Sequence, residues 1–110
     1  MAYNNWYDGL SQGSLDYLKD TTLQWLNMDA SMYCSGCSVI PNFSGVPLSK
    51  LSIGFLASKD AGGPSSYTLP TVLNSYQNWL VQSNMSPASL FIWDSHWDSL
   101  NSYLISNAIT

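Results

Sequence analysis

Leu51-Ser52-Ile53-Gly54-Phe55-Leu56-Ala57 and Leu90-Phe91-Ile92-Trp93 are the two runs whose reading decides the fold. Both are mostly apolar without alternation, the pattern of parallel strands covered on each face. Between them, Val72, Leu73, Tyr76, Trp79 and Leu80 recur at helical spacing, with Thr68 as expected N-cap and Pro70 in the first turn. Two parallel strands need a crossover of a dozen or more residues, and this helix supplies it. Upstream, Leu15, Leu18, Leu23, Trp25 and Leu26 form an apolar stripe behind Ser14, a second expected N-cap. Downstream, Leu100, Tyr103, Leu104 and Ala108 follow Asp98 or Ser99, again capping residues. Met1-Ala2-Tyr3 has the look of a strand cut off at its start. The order is then β-α-β-α-β-α, an α/β chain of three parallel βα units in one domain, with strands at 1–4, 51–57 and 90–93. The stretch from Cys34 to Pro47, rich in Ser, Gly and Pro, is expected to be a surface loop. An open sheet of three strands has two bare edges, so the chain reads as part of something larger.

The composition narrows the function classes. The 110 residues carry three Lys, no Arg, seven Asp and no Glu, for a formal charge of −4. Without Arg and with a negative total, phosphate-backbone binding to nucleic acid is not expected, nor is electrostatic docking on an anionic membrane. No apolar run approaches the ~18 residues of a membrane span. The first residues lack both a basic region and an apolar stretch, so no signal peptide is visible and the compartment stays open. Any mechanism that needs a glutamate cannot be completed by these residues.

Candidate chemistry gathers where the strands end: Tyr3-Asn4-Asn5, then Ala57 to Gly63, then Trp93-Asp94-Ser95-His96-Trp97-Asp98. In α/β barrels the strand ends form the active-site face. A Tyr hydroxyl, an Asn amide and a flat Trp ring converging there suit a sugar, whose faces stack on aromatics and whose hydroxyls and amides take hydrogen bonds. The competing reading of the same residues is core packing with satisfied polar tips.

Taken in order, Met1-Ala2-Tyr3-Asn4-Asn5, Ile53 to Ser58 with Ala61-Gly62-Gly63 and Tyr67, and Phe91-Ile92-Trp93 with Trp97-Asp98 resemble glycoside hydrolase family 18. The likeness is to the small-barrel chitinases of the plant class III and fungal type, and it spans nearly the whole chain. It implies a partial (β/α)8 TIM barrel, with strands six to eight supplied here and roughly 150 residues of a typical ~250-residue barrel lying upstream. It also implies hydrolysis of β-1,4-linked N-acetylglucosamine polymers by substrate-assisted retention, an exception to the two-carboxylate scheme, and a secreted protein. By the same resemblance, Tyr3 holds the substrate's acetamido oxygen, Asn4 contacts the same sugar, and Trp93 forms the floor beneath it. Asp94 stands where the family usually has Ser and adds a charge near the sugar. Leu56 replaces the usual Pro of the seventh strand, and Met1 stands where the small-barrel subgroup has Gln.

The largest departure is the missing Asp-x-x-Asp-x-Asp-x-Glu signature of strand four. Proton donation by a positioned acid is worth typically ~10²–10⁴ in rate, and no catalytic residue is assigned to this chain. Hydrolysis by the 110 residues alone is not expected, and no cofactor is called for. The expected partners are chitin or an N-acetylglucosamine oligosaccharide, together with the missing N-terminal part of the barrel. A non-catalytic, lectin-like chitin-binding protein or a complementing barrel piece shares the same aromatic site and is the alternative. A self-standing interaction domain without a sugar site is the third reading.

Two further patterns are weighed. Asp94-x-His96-x-Asp98 would share a face on an extended segment and offer ligands to a divalent metal, but Asp98 is better explained as a helix N-cap, and no metal site is assigned. Cys34-Ser35-Gly36-Cys37 has the spacing of a thiol redox pair, although it follows a helix rather than opening one, which leaves a local disulfide or two free thiols as the plainer readings.

Overall fold

The computed structural model describes residues 2–3 and 13–110, the first two as backbone. Strand β1 is Ala2–Tyr3, followed by helix α1 (Leu15–Trp25), strand β2 (Ser52–Leu56), helix α2 (Pro70–Gln82), strand β3 (Ser89–Trp93) and helices α3 (Ser95–Leu100) and α4 (Leu104–Ile109). The sheet has the order β1-β2-β3, all parallel, with Tyr3 opposite Gly54 and Leu56 opposite Trp93.

This corrects the expectation of three βα units of a (β/α)8 barrel. Among the described residues there is a small α+β domain of four α-helices and one sheet. The only full-length strands of that sheet are the parallel pair β2 and β3, since β1 contributes two residues. Among the described residues the sheet is open, with β1 and β3 each bonded to β2 alone. The last expected helix is also not one helix. Ser102 and Tyr103 sit in the left-handed region at φ 56° and 57°, and they split it into two six-residue pieces. Residues with side chains avoid that region because Cβ crowds the backbone, so a helix cannot run through it.

The core forms where β2 meets the helices. Leu51, Ile53, Phe55 and Leu56 are buried with Leu18 of α1, Leu73, Tyr76 and Leu80 of α2, and Ile105 of α4. The Phe55 ring meets the edge of Tyr76 at 6.0 Å, and Tyr76 stacks on Trp79 at 5.8 Å. The Tyr76 hydroxyl lies 2.6 Å from Thr22 Oγ1. Thr22 gives its one hydrogen to the Leu18 carbonyl at 2.7 Å, so Tyr76 is the donor of the pair. Burial pushes the Tyr76 phenol well above its ordinary range, with the Thr22 bond acting the other way, and the ring stays neutral as a clamp between α1 and α2.

Local chemistry sets the element ends. Ser14 Oγ accepts from Tyr17 N at 3.2 Å and caps α1, as expected. Helix α2 starts with Pro70 at its first position. Its N-cap is Leu69 without a side-chain bond, while the expected cap Thr68 is fully buried. After α1 the chain turns through Asn27, whose side chain accepts from Ile40 N at 2.6 Å and donates to the carbonyls of Ile40 and Phe43. That one amide holds the long connection to β2 against the end of α1. Gly45, at φ 78°, then passes so close to the Leu26 carbonyl that a Cβ would collide with it.

On the sheet face opposite Phe55, the ring of Phe91 lies over Gly54, its register partner in β3. A methyl group at residue 54 would overlap that ring. Gly54→Ala is expected to cost about 1–3 kcal/mol, the usual penalty of overpacking, measured as a lower urea midpoint at unchanged slope.

Candidate functional site

The C-terminal ends of β2 and β3 carry the side chains singled out above. Trp93 closes β3 and is 50% exposed, although the strand before it is partly covered. Its carbonyl accepts from Ala57 N at 2.9 Å, which extends the ladder one residue past β2. The Asn101 amide donates to the Ala57 carbonyl at 2.8 Å and to the Tyr67 hydroxyl at 3.1 Å. This tie fixes the β2 exit loop to the end of α3. Ser58 begins that loop and caps a single 3₁₀ turn, Lys59–Ala61, by accepting from Asp60 N at 3.2 Å.

The four residues expected to meet a sugar are placed as follows. Tyr3 lies in β1 beside Gly54, so its backbone belongs to the same sheet as Trp93. Asn4 lies outside the described residues, as does Met1. Trp93 is the exposed last residue of β3. Asp94, joined to Trp93 by a cis peptide bond, is the N-cap of α3, and its Oδ1 accepts from His96 N at 2.9 Å and Trp97 N at 3.2 Å. Its carboxylate is thereby committed to the helix N-terminus, where negative charge is favoured.

The Asp94-His96-Asp98 set is not brought together. His96 is exposed in the first turn of α3, edge-on to Trp97 at 5.4 Å. Asp98 is 2% exposed and turns the other way, and its Oδ1 accepts from Ile105 N and Ser106 N, each at 3.3 Å. The spacing predicts Asp98 as the N-cap of one helix carrying Leu100, Tyr103, Leu104 and Ala108, whereas it lies inside α3. It instead caps α4 from the preceding helix, supplying the acceptor that Tyr103 at the N-cap lacks. Spacing shows neither role: the Asp98 cap depends on the chain reversal at Ser102 and Tyr103, and the Asn101 bridge reaches partners distant in the chain.

Two open cavities lie among the described residues. One, of about 350 Å³, is lined by Gly13, Ser14, Lys59, Tyr67, Leu69 and Val72 among others. A more apolar one of about 610 Å³ lies at the other end of β2, around Leu26, Met28, Val46, Leu48 and Met85. Trp93 lines neither of these two. No family model, no curated protein and no solved structure matches this chain.

Proposed function

We propose that this chain carries the sugar-holding surface of a chitinase-like glycoside hydrolase of family 18, with N-acetylglucosamine oligosaccharide stacking on Trp93. The observation that carries the reading is that Trp93, at the C-terminal end of β3, is half exposed. It lies next to a strand-exit loop that Asn101 holds in place. A flat aromatic surface of this kind suits the apolar face of a pyranose. The order of the motifs from Tyr3 through Gly62-Gly63 and Tyr67 to Trp93 supports the same reading. In the proposed reaction the substrate's acetamido oxygen attacks the anomeric carbon while an acid protonates the leaving oxygen.

The absence of any Glu favours a second reading for the chain on its own, in which it binds and does not cleave. Asp94 and Asp98 do not substitute for the acid, since each carboxylate is engaged with helix N–H groups. A titration with N-acetylglucosamine trimer, followed by Trp fluorescence, tests the proposal. The expected result is a saturable change that Trp93→Ala weakens about 30-fold, the ~2 kcal/mol of a stacking anchor, with no trimer turnover above that variant. An unchanged signal at millimolar trimer would sink the binding claim, and turnover by the isolated chain would sink the non-catalytic one.

A further inference from the structure

We propose that Cys34 and Cys37 are a reversible dithiol–disulfide pair that exchanges with an external dithiol or disulfide, with Asp20 handling the proton at the departing or attacking sulfur. This does not depend on the carbohydrate reading. The two cysteines are disulfide-bonded and only partly buried in the connection after α1. A carboxylate oxygen of Asp20, on α1, and both Sγ atoms all lie within 4.8 Å of one another. Gln24, one turn further along the same helix, donates from Nε2 to Cys37 Sγ at 2.9 Å. Helix α1 therefore presents an acid and an amide donor to the same sulfur pair.

A purely structural bridge explains this poorly. The bridge spans a sequence separation of 3, and closing so short a loop removes chain entropy worth only about 2 kcal/mol. The turn is already held by Cys34 N and Tyr33 N donating to the Ala30 carbonyl. Asp20 Oδ1, by contrast, is buried and without a hydrogen-bond partner among the described residues. Such a group costs folding energy and asks for a use. Burial first, and then the charge of Asp16 one turn earlier, push Asp20 up to about 6. It therefore holds or releases a proton near neutrality, the property needed in an acid–base partner.

Among the described residues, the charged and titratable groups on the elements around Asp20 are these. From α1 there are Asp16 and Lys19, whose ammonium lies over the rings of Tyr33 at 4.9 Å and Trp79 at 5.8 Å. From the connection there are Tyr33 and the two cysteines. Helix α2 carries no charged side chain, and its Tyr76 hydroxyl is engaged with Thr22.

In reduction, a thiolate of an external dithiol attacks Cys34 Sγ and forms a mixed disulfide as the Cys34–Cys37 bond breaks. Cys37 leaves with the electron pair, stabilised by the Gln24 N–H, and takes the proton of the Asp20 carboxyl, which is refilled from solvent. The second thiol of the same reagent, losing its proton to solvent, then attacks the mixed disulfide. Cys34 is released and protonated. The external dithiol is oxidised by two electrons and the cysteine pair is reduced by two. In the reverse direction, the Asp20 carboxylate takes the Cys37 proton.

The test uses the full chain and dithiothreitol. Reduction is followed by alkylation and mass shift from pH 4.5 to 8, with each rate divided by the concentration of dithiothreitol thiolate. The normalised rate is expected to fall about tenfold or more as pH rises through the Asp20 range, a conservative share of a general-acid contribution. Asp20→Asn should be slow and flat. Asp16→Asn, which removes the like charge, should move the inflection to lower pH. A flat profile in the unsubstituted chain overturns the proposal whether or not Asp20→Asn folds, and so does an inflection unmoved by Asp16→Asn.

Discussion

Phe55→Ala is expected to remove about 3–5 kcal/mol of stability, enough to leave much of the chain unfolded at room temperature if its total lies near the lower end of the ~5–15 kcal/mol typical of domains. Phe55 is fully buried in the middle of β2, in the cluster that also holds Leu18, Leu73, Tyr76, Leu80 and Ile105. Its ring fills the space against Tyr76, and Tyr76 in turn joins α2 to Trp79 and to Thr22 of α1. Removing the ring leaves a cavity whose walls are a strand held on both sides and a helix pinned at its hydroxyl, so collapse into the void is limited. Phe55→Leu keeps most of the volume and should cost less than half as much. Urea unfolding followed by circular dichroism measures both, and equal midpoints for the two variants would contradict the proposed packing.

Asp98→Ala is the second large effect, about 3 kcal/mol. Two helix N–H groups, on Ile105 and Ser106, would lose their acceptor, and the Ile105 N–H is buried with its fully covered side chain. A buried donor left unpaired costs about 1–3 kcal/mol. Asp98→Asn keeps an oxygen in the same place and is expected to retain most of the stability. Amide exchange separates the two: in Asp98→Ala the Ile105 and Ser106 amides should lose protection before those of α2. If both amides stay protected, the cap is not what holds α4.

Much of the local structure was legible in residue patterns. Ser14, the apolar runs of β2 and β3, and Pro70 at the head of α2 act through neighbours a few positions away, which spacing records. The failures are non-local. Leu100, Tyr103, Leu104 and Ala108 keep helical spacing across Ser102 and Tyr103, so periodicity could not show the left-handed break between α3 and α4. Asp98 was recognised as a capping residue, but not that its carboxylate reaches back to the next helix. The apolar runs do pair in parallel, but only β2 is covered as expected while β3 is partly exposed, and how many strands a sheet has is decided by long-range contacts that no run contains. That is why the barrel expectation did not survive. At the candidate site, Trp93 was readable as an aromatic at a strand end. Asn101 carried no signal, because its partners Ala57 and Tyr67 lie 44 and 34 residues away.

The central claim is that Trp93 is a sugar-binding platform. It is tested most directly by the indole N–H resonances of the ¹⁵N-labelled chain during titration with N-acetylglucosamine trimer. The account predicts that the Trp93 signal, assigned by its loss in Trp93→Phe, shifts saturably, while those of Trp25 and Trp79, packed against the core, stay in place. A Trp93 signal that does not move at millimolar trimer would contradict it.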